Sequence, residues 1–580
     1  MAATLLQSAC STAPQKAEEQ QAVTAKTKTS VKDKTPFAKA QTALAQGRYS
    51  QAERILQSFE GQNLPQAQSI QYVLLKAELA LKQNQLEQAE QYLSLVSLNL
   101  TQLSPAQSIH YGLLKAQLHE AYGQYLAGAR ERNFQSSLLD GEASQENNQK
   151  LWQDLMLISA LELNEATEAY PESEFGAWLQ LAAIARNSRL TLNEQLHYID
   201  LWKANNPQHP AVLFQPNGIS MLYEAAANRP KSLALLLPLS GSLEKSGQAI
   251  RDGFMAAYFD AKRKDNTVPS VHIYDEAAFS NINEAYAQAQ FDGAQWLIGP
   301  VNKDQVQQIS EYEKLPLLTL ALNYSDRDKT DKLPDNLYQF GLAAEDEAIQ
   351  IANQAWADGK RHALVLLPQG EWGKRIFYAF EKHWLSLGGS ISEERFYPTR
   401  KDYNPDVRAL LNVDDSQARY QQVRRALRQN TEFEPRRRED SDWVFMVALP
   451  QQARQMKPTF AFNFAADLPI YATSHVYSAE VNVAKDRDLN GVLFCDQPWV
   501  LQNSQLYNEV EKALPEGQGR YARLYAMGVD AFRLMPHIKQ LSISPENQVF
   551  ANTGALHIDE NRRVIRRTQC TSFKHGRPQS

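Results

Sequence analysis

The residues whose types and spacing most suggest covalent chemistry are Ser242 and Lys245, the Ser-x-x-Lys of "GSLEKSG" (241–247). Enzymes that use such a serine as nucleophile also need a Ser-x-Asn element and a Lys-Thr/Ser-Gly on a distant strand. The chain contains one Lys-Ser-Gly, at residues 245–247, and it overlaps the first motif. Because one lysine cannot occupy both positions, the spacing does not indicate a serine enzyme.

Other motifs that carry chemistry are missing from the sequence. Gly241 and Gly247 lack the Gly-Lys-Ser/Thr of a phosphate-binding loop, and no Gly-x-Ser-x-Gly elbow occurs. The 11 histidines never stand in the His-x-x-x-His spacing of a zinc-protease helix. We therefore expect a protein that is not an enzyme, with no catalytic residue, no metal and no cofactor.

Length and composition narrow the class of protein. The chain has 580 residues, enough for several domains that each bury a core. Its composition, 43% hydrophobic and 22% charged, is that of an ordinary globular protein. A net charge of −6 gives no reason to expect nucleic acid as a partner. No apolar run approaches the roughly 18–20 residues of a membrane-spanning helix.

The N-terminal residues predict a lipid anchor. In "TLLQSACSTAP" (4–14), apolar residues and the small Ser8 and Ala9 precede Cys10, as at the end of a bacterial lipoprotein signal. Residues 1–10 are thus predicted to be a partial signal that ends at a lipidated Cys10. The alternative is an incidental cysteine, since Gln7 stands where leucine is usual. Ser11 favours the outer membrane, with the protein anchored in its inner leaflet on the periplasmic side.

A tether and a helical-repeat domain are predicted to follow. Residues 11–36 contain no aromatic residue, leucine or isoleucine, so we expect them to be disordered. From residue 37, "KAQTALAQGRYSQAERIL" (39–56) aligns with "KAELALKQNQLEQAEQYL" (76–93), and a third copy begins near residue 113. Such repeats resemble tetratricopeptide-type helix pairs, which stack because one pair cannot bury its apolar face alone. We predict an all-α helical-repeat domain over 37–227, with an irregular helical bundle as the alternative.

Beyond a hinge at residues 228–232, strands and helices alternate. Short apolar runs predict strands at Leu233–Leu237, Val271–Tyr274, Trp296–Ile298, Leu317–Leu320, Ala363–Leu367, Trp443–Val447, Pro469–Tyr471 and Val492–Phe494. This alternation is typical of parallel, doubly wound sheets, here in two lobes over 231–580. Ligands of such sheets bind beyond the carboxyl ends of the strands.

The first strand, turn and helix (231–261) resemble those of type I periplasmic binding proteins. Exposed amides at the start of that helix can hold an anion or a carbonyl. The resemblance implies a cleft between two lobes, lined by Ser240, Gly241, Gly299, Pro300, Asn323, Glu371, Ser474 and His475. Cys495 and Cys570 are either a disulfide or two separate buried thiols. A solute-binding receptor for a small polar ligand, feeding a transporter, is therefore one candidate function.

A second resemblance covers essentially everything after residue 37. It is carried by "WKANNPQHPA" (202–211), "LLLPLSG" (235–241), "GLAAEDEA" (341–348) and "LYAMGVDAF" (524–532), together with the lipoprotein cysteine and the helical repeat. In this combination the chain resembles the LpoA family, outer-membrane lipoproteins that activate a class A penicillin-binding protein. The resemblance implies a regulator of peptidoglycan synthesis that binds this bifunctional synthase and stimulates transpeptidation. We prefer this function to the receptor, because a simple receptor has no use for the helical repeat.

Overall fold

The structure, a computed structural model, describes residues 36–579 apart from 99, 327–331, 401, 429–431, 503, 515–518 and 543–546. The predicted lipid-modified Cys10 and the predicted tether lie outside the described residues, except for Pro36. The chain divides into two compact units, one ending at Leu114 and the other beginning at Lys115. No helix among the described residues is long and apolar enough to span a membrane.

The first unit consists of paired helices. They are α1 (Pro36–Ala45), α2 (Tyr49–Gln57), α3 (Gln66–Lys82), α4 (Leu86–Ser97) and the N-terminal part of α5 (Pro105–Ala121). Two alanines that the repeat aligns, Ala43 and Ala80, are buried, which lets the paired helices approach closely. Gly47 and Asn84 turn the chain at the equivalent position of each pair, with φ of 71° and 58°. The predicted helical N-terminal region is confirmed.

Helices continue into the second unit. They are α6 (Tyr125–Ser136), α7 (Gly141–Leu157), α8 (Ala160–Ala169), α9 (Glu174–Ala185), α10 (Leu192–Asn205), α11 (Pro210–Leu213) and α12 (Asn217–Ala227). Their core contains Trp152, Trp178 and Trp202. The ring of His209 packs 4.9 Å from both Trp178 and Trp202, and Trp202 donates its indole N–H to the Ala177 carbonyl at 2.9 Å. We call α6–α12 the helical segment.

The rest of the second unit contains two sheets. Lobe 1 has β1 (Ser232–Leu237), β2 (Ser270–Asp275), β3 (Trp296–Ile298), β4 (Leu318–Ala321), β5 (Leu337–Phe340), β11 (Val549–Phe550), β12 (Ala555–Ile558) and β13 (Arg563–Arg567). Lobe 2 has β6 (His362–Pro368), β7 (Ser390–Tyr397), β8 (Trp443–Met446), β9 (Ile470–Ala472), β10 (Leu493–Asp496), β14 (Gln569–Lys574) and β15 (Arg577–Gln579). The strand orders are β11-β12-β13-β5-β4-β3-β1-β2 and β15-β14-β10-β9-β8-β6-β7.

The two sheets repeat one topology. The parallel strands β2-β1-β3-β4-β5 of lobe 1 and β7-β6-β8-β9-β10 of lobe 2 share the doubly wound order 2-1-3-4-5. Alternate residues of β1 face different cores: Leu235 packs with the helices at 244–264 and 522–533, whereas Leu236 packs with those at 282–291 and 303–310. Burial on both faces explains why these strands are continuous apolar runs. The predicted two-lobed α/β fold is confirmed. Lobe 1 adds β13 parallel to β5 and then two antiparallel pairings, and lobe 2 adds β14 antiparallel to β10.

Helices cover both sheets. Those of lobe 1 are α13 (Glu244–Lys264), α14 (Ile282–Phe291), α15 (Lys303–Ser310), α22 (Pro498–Leu501), α23 (Gln505–Ala513), α24 (Ala522–Arg533) and α25 (Ile538–Ser542). Those of lobe 2 are α16 (Ala344–Ala357), α17 (Glu371–Ser386), α18 (Asn404–Leu410), α19 (Val413–Leu427), α20 (Pro450–Phe462) and α21 (Val483–Asp486).

Helices α13 and α24 touch backbone to backbone. A Cβ atom on Gly528 would lie 2.0 Å from the Ile250 carbonyl oxygen, and one on Gly253 would lie 2.0 Å from that of Tyr525. Only glycine permits this approach at either position. The crossing fixes α24 on lobe 1, and it therefore fixes where the side chains at the start of α24 reach lobe 2.

Candidate functional site

The candidate site is the cleft between the lobes, at the carboxyl ends of their strands. A cavity of about 610 Å³ opens there. Its lining includes Asn323 and Tyr324 after β4, Asp346 at the start of α16, Trp372 after β6 and His475 after β9. Loops beyond strand ends are where ligands of doubly wound sheets bind. Asn323 and His475 are thus the two sequence-predicted residues that the structure brings together in this cavity.

The turn after β1 is already occupied by a carboxylate of the chain. Asp275, the last residue of β2, accepts the amide N–H of Leu239 at 2.9 Å and that of Ala277 at 3.1 Å. Burial raises the pKa of Asp275, but hydrogen bonds from Ser240, Leu239 and Ala277 outweigh this, so its pKa is lowered overall. An ionised carboxylate therefore lies at the turn that contains Ser240, one of the residues that the sequence predicts to line the cleft.

The amides of the turn after β3 also donate to a carboxylate of the chain. Gly299 precedes a cis peptide bond to Pro300, and its φ is 111°. The next two amides, of Val301 and Asn302, donate to the buried carboxylate of Glu276 at 3.0 and 2.9 Å. Burial raises the pKa of Glu276, and these two hydrogen bonds offset part of the rise. Glu276 thus satisfies the donors that a bound anion would otherwise use.

In lobe 2, a carboxylate of the chain likewise accepts the donors of a strand-end residue, Ser474. The buried Glu347, from α16, accepts the amide N–H of Ser474 at 2.9 Å and its hydroxyl at 3.0 Å. Both donors of Ser474 are used inside the protein. Each lobe therefore provides internal carboxylates for polar groups at the ends of its own strands.

A buried ion pair connects the lobes beneath the cleft. Arg523, from α24, donates Nε–H to Oδ1 of Asp496 at 2.9 Å, and Asp496 has no exposed surface. The guanidinium also donates to the carbonyls of Ser474 and Tyr477 at 3.0 and 3.1 Å. Burial raises the pKa of Asp496, and Arg523 opposes the rise. Because every partner of Arg523 lies in lobe 2, the pair orients the two lobes.

His475 lies where these features meet. Its Nδ1 is 3.1 Å from the hydroxyl of Thr473 and 3.7 Å from the Glu347 carboxylate, and its ring packs 5.1 Å from that of Trp372. Burial lowers the pKa of His475 and Glu347 only partly opposes this, so the imidazole is neutral near pH 7. It also lines a second cavity, of about 730 Å³, with Arg523.

The other sequence-predicted residues are placed differently. Glu371 is exposed at the start of α17 and pairs with Lys374 at 2.9 Å. Ser240, Gly241, Gly299, Pro300 and Ser474 form the surrounding turns but do not line the 610 Å³ cavity. Cys495 and Cys570 are joined by a disulfide that links β10 to β14.

Sequence reasoning missed the internal carboxylates. Asp275 and Glu276 directly follow a predicted strand, and Glu347 lies within "GLAAEDEA", so carboxylates close to strand ends were a usable signal. Their pairing with amides of other loops depends on strand order, which the sequence does not show.

The Ser-x-x-Lys motif lies at the start of α13. Ser242 lies in the turn before α13, Lys245 lies in the first turn of that helix, and both side chains are exposed. Among the described residues, no group of three or more His, Cys, Asp or Glu side chains could hold a metal ion.

The chain is similar to known proteins over most of its length. The family model described as "LppC putative lipoprotein" matches residues 16–576. The penicillin-binding protein activator LpoA of Photobacterium profundum is 28% identical over 532 residues, which cover 90% of this chain and 85% of that protein. The protein of the same name from Vibrio cholerae is 26% identical and covers 89% of this chain and 85% of its own length.

A solved structure shows the same architecture. The Haemophilus influenzae LpoA structure superposes with a TM-score of 0.56 at 26% identity, and the match covers 94% of both chains. The similarity therefore includes both the helical part and the two-lobed α/β part.

Proposed function

Since the chain belongs to the LppC lipoprotein family, we propose that it is a regulator of peptidoglycan synthesis that activates a penicillin-binding protein. The observation that carries the proposal is a match of about 90% of the chain to proteins named penicillin-binding protein activators. The partner that we propose is a class A penicillin-binding protein, whose transpeptidation this protein stimulates by contact, without chemistry of its own.

The geometry of the cleft favours this function over the receptor alternative. A receptor for a small polar solute needs unsatisfied donors at its strand ends, since an anionic ligand is held by backbone amides. Here Asp275, Glu276 and Glu347 already accept the donors of those turns. A carboxylate ligand would have to displace buried or hydrogen-bonded carboxylates that are covalently part of the protein.

Activation is tested with the full-length protein and a purified class A penicillin-binding protein in a lipid II polymerisation assay. We expect a higher fraction of cross-linked product when the protein is present, and the same stimulation from S242A. An unchanged cross-linked fraction would contradict the proposal. Covalent labelling by fluorescent penicillin that is lost in S242A would instead indicate an enzyme.

Anchoring through Cys10 is part of the same proposal. A lipid on Cys10 would hold the protein in the inner leaflet of the outer membrane, with residues 11–36 as a tether across the periplasm. In C10S cells, we expect metabolic palmitate label to disappear and the protein to leave the membrane fraction. Unchanged label and fractionation would contradict lipidation at this residue.

We further propose that residues 231–580 fold separately from residues 37–227 and carry the activating surface. The composition change at residues 228–232 supports this division. A fragment of residues 231–580 should then unfold cooperatively and bind the penicillin-binding protein. An unfolded fragment would contradict the boundary, and stimulation by residues 37–227 alone would contradict the assignment of activity.

A further inference from the structure

A third cavity lies at the junction of the helical segment and lobe 1, away from the cleft. We call this junction the seam. The cavity has a volume of about 120 Å³ and mostly apolar walls. Leu192 and Ala225 line it on the helical side, and Ala257, Ala261, Trp296 and Phe532 line it on the side of lobe 1. An apolar cavity of roughly 150 Å³ is known to stay dry and to admit one benzene ring.

Polar contacts hold the two sides of the seam apart at a fixed distance. Arg229 donates to Asp265 at 2.9 Å and to the side chain of Asn193 at 2.7 Å. Elsewhere in the seam, the Phe550 amide donates to the Arg186 carbonyl at 2.9 Å, and the Arg186 guanidinium lies 3.8 Å from the centre of the Phe550 ring. The cavity is therefore preformed, so binding of a ligand would not require free energy to separate the two sides.

The charges around the cavity do not balance. Four cations line it, against the two carboxylates of Asp260 and Asp265. Asp265 pairs with Arg229, and Asp260 contacts Arg533 at 3.3 Å. Arg189 and Lys539, both exposed, form no ion pair with any residue that the structure describes. Burial lowers the pKa of Arg533, the carboxylates of Asp530 and Asp260 oppose the lowering, and the charge of Arg189 adds to it.

We propose that the seam cavity binds a small amphipathic anion: one aromatic ring or short alkyl chain that carries a single carboxylate or sulfonate. The apolar walls would take the ring, and Arg189 and Lys539 would receive the anionic group at the mouth. A zwitterion does not fit, because both lining carboxylates already have cationic partners. A long acyl chain does not fit the volume. The site stands independently of the proposed activator function.

Phenylacetate tests the charge requirement against two analogues of similar shape, neutral 2-phenylethanol and cationic 2-phenylethylamine. Ligand-observed NMR titrations of the full-length protein should give a Kd for phenylacetate on the order of 1 mM or lower, as expected for so small a ligand. 2-Phenylethanol should bind more weakly and 2-phenylethylamine most weakly. Phenylacetate should also raise the unfolding temperature, because it binds only the folded protein.

Two variants locate the binding. A225F places a ring into the cavity from α12 and should abolish binding, whereas A227F, at an exposed position of the same helix, should leave it unchanged. R189Q/K539Q should weaken phenylacetate binding by about tenfold or more, because it removes the charge-assisted contacts, and should leave 2-phenylethanol unaffected. Its matched control is K382Q/R419Q, at two exposed cations of lobe 2.

Several outcomes would overturn the proposal. They are a lack of saturable phenylacetate binding up to about 10 mM, far above the expected range, equal or tighter binding of either analogue, and binding that survives A225F. Loss of affinity in K382Q/R419Q equal to that in R189Q/K539Q would also overturn it, since net charge alone would then explain the effect. None of these outcomes bears on activation of the penicillin-binding protein.

Discussion

The cleft and the seam are two junctions of one compact unit, and they are filled in opposite ways. In the cleft, the chain supplies its own carboxylates to the strand-end donors and buries an ion pair between Arg523 and Asp496. In the seam, ion pairs lie at the rim and the middle is apolar space. Two junctions of one compact unit can thus differ, one with strand-end donors that internal carboxylates satisfy and the other with an apolar cavity.

We expect the largest loss of stability from a substitution at the crossing of α13 and α24, which supports the cleft. G528A should lower the free energy of unfolding by about 4 kcal/mol or more, because its Cβ would lie 2.0 Å from a backbone oxygen and α13 and α24 would have to separate. The seam offers the control: in G218A the nearest atom is the flexible Gln540 side chain at 3.3 Å. We expect G218A to stay within about 1 kcal/mol of the parent. Denaturant unfolding measures both, and equal losses would contradict the contrast.

The next prediction compares the ion pairs of the two junctions. R523Q leaves Asp496 buried without its cation and should cost about 3 kcal/mol. R229Q removes a pair whose carboxylate, Asp265, keeps two hydrogen bonds from Thr267, so about 1 kcal/mol is expected. Denaturant unfolding measures both losses. A loss in R229Q as large as that in R523Q would show that the ion pair of the seam stabilises the protein as much as that of the cleft.

A smaller effect tests the internal carboxylates of the cleft. In E276Q, an amide NH₂ replaces one acceptor of the Val301 and Asn302 amides, so about 2 kcal/mol should be lost. E371Q is the matched control, since Glu371 is exposed and its replacement should leave the free energy of unfolding nearly unchanged. If E276Q were as stable as E371Q, the claim that Glu276 satisfies this turn would be wrong.

The smallest effect is on the pH dependence of stability. Burial lowers the pKa of His537, beside the seam, and of His475, in the cleft, where Glu347 partly opposes the lowering. A lowered histidine pKa means that the unfolded state binds more protons once the pH falls below about 6.5, so stability is lost on acidification. Each group contributes at most about 1.4 kcal/mol per pH unit.

The variants H537Q and H475Q separate the two histidines. We expect H537Q to flatten the slope of unfolding free energy between pH 7 and pH 5.5 more than H475Q does. At His537 a hydrogen bond with Gln540, and no carboxylate of the described residues, opposes the lowering of the pKa. Unfolding curves across this range measure the slope. A steeper contribution from His475 would indicate that Glu347 does not act on it as the structure implies.

The sequence by itself determined the elements and their class. The repeat placed the helix pairs because small residues such as Ala43 and Ala80 recur where helices must approach. Apolar runs placed strands such as β1 and β3 because a parallel strand is buried on both faces. Strand β7, half exposed, was missed because it lacks such a run. The motif search found no second Lys-Thr/Ser-Gly to accompany the Ser-x-x-Lys motif, and for this reason the sequence did not predict serine chemistry.

Only the tertiary structure decided what occupies the junctions. Glu276 follows β2 and Val301 follows β3, and they meet because these two strands flank β1 in the sheet. Leu192 and Phe532 line one cavity although no local pattern relates them. Local periodicity sets which face of an element is buried, but the pairing of donors with acceptors, and the space left between elements, depend on how elements distant in the sequence pack together.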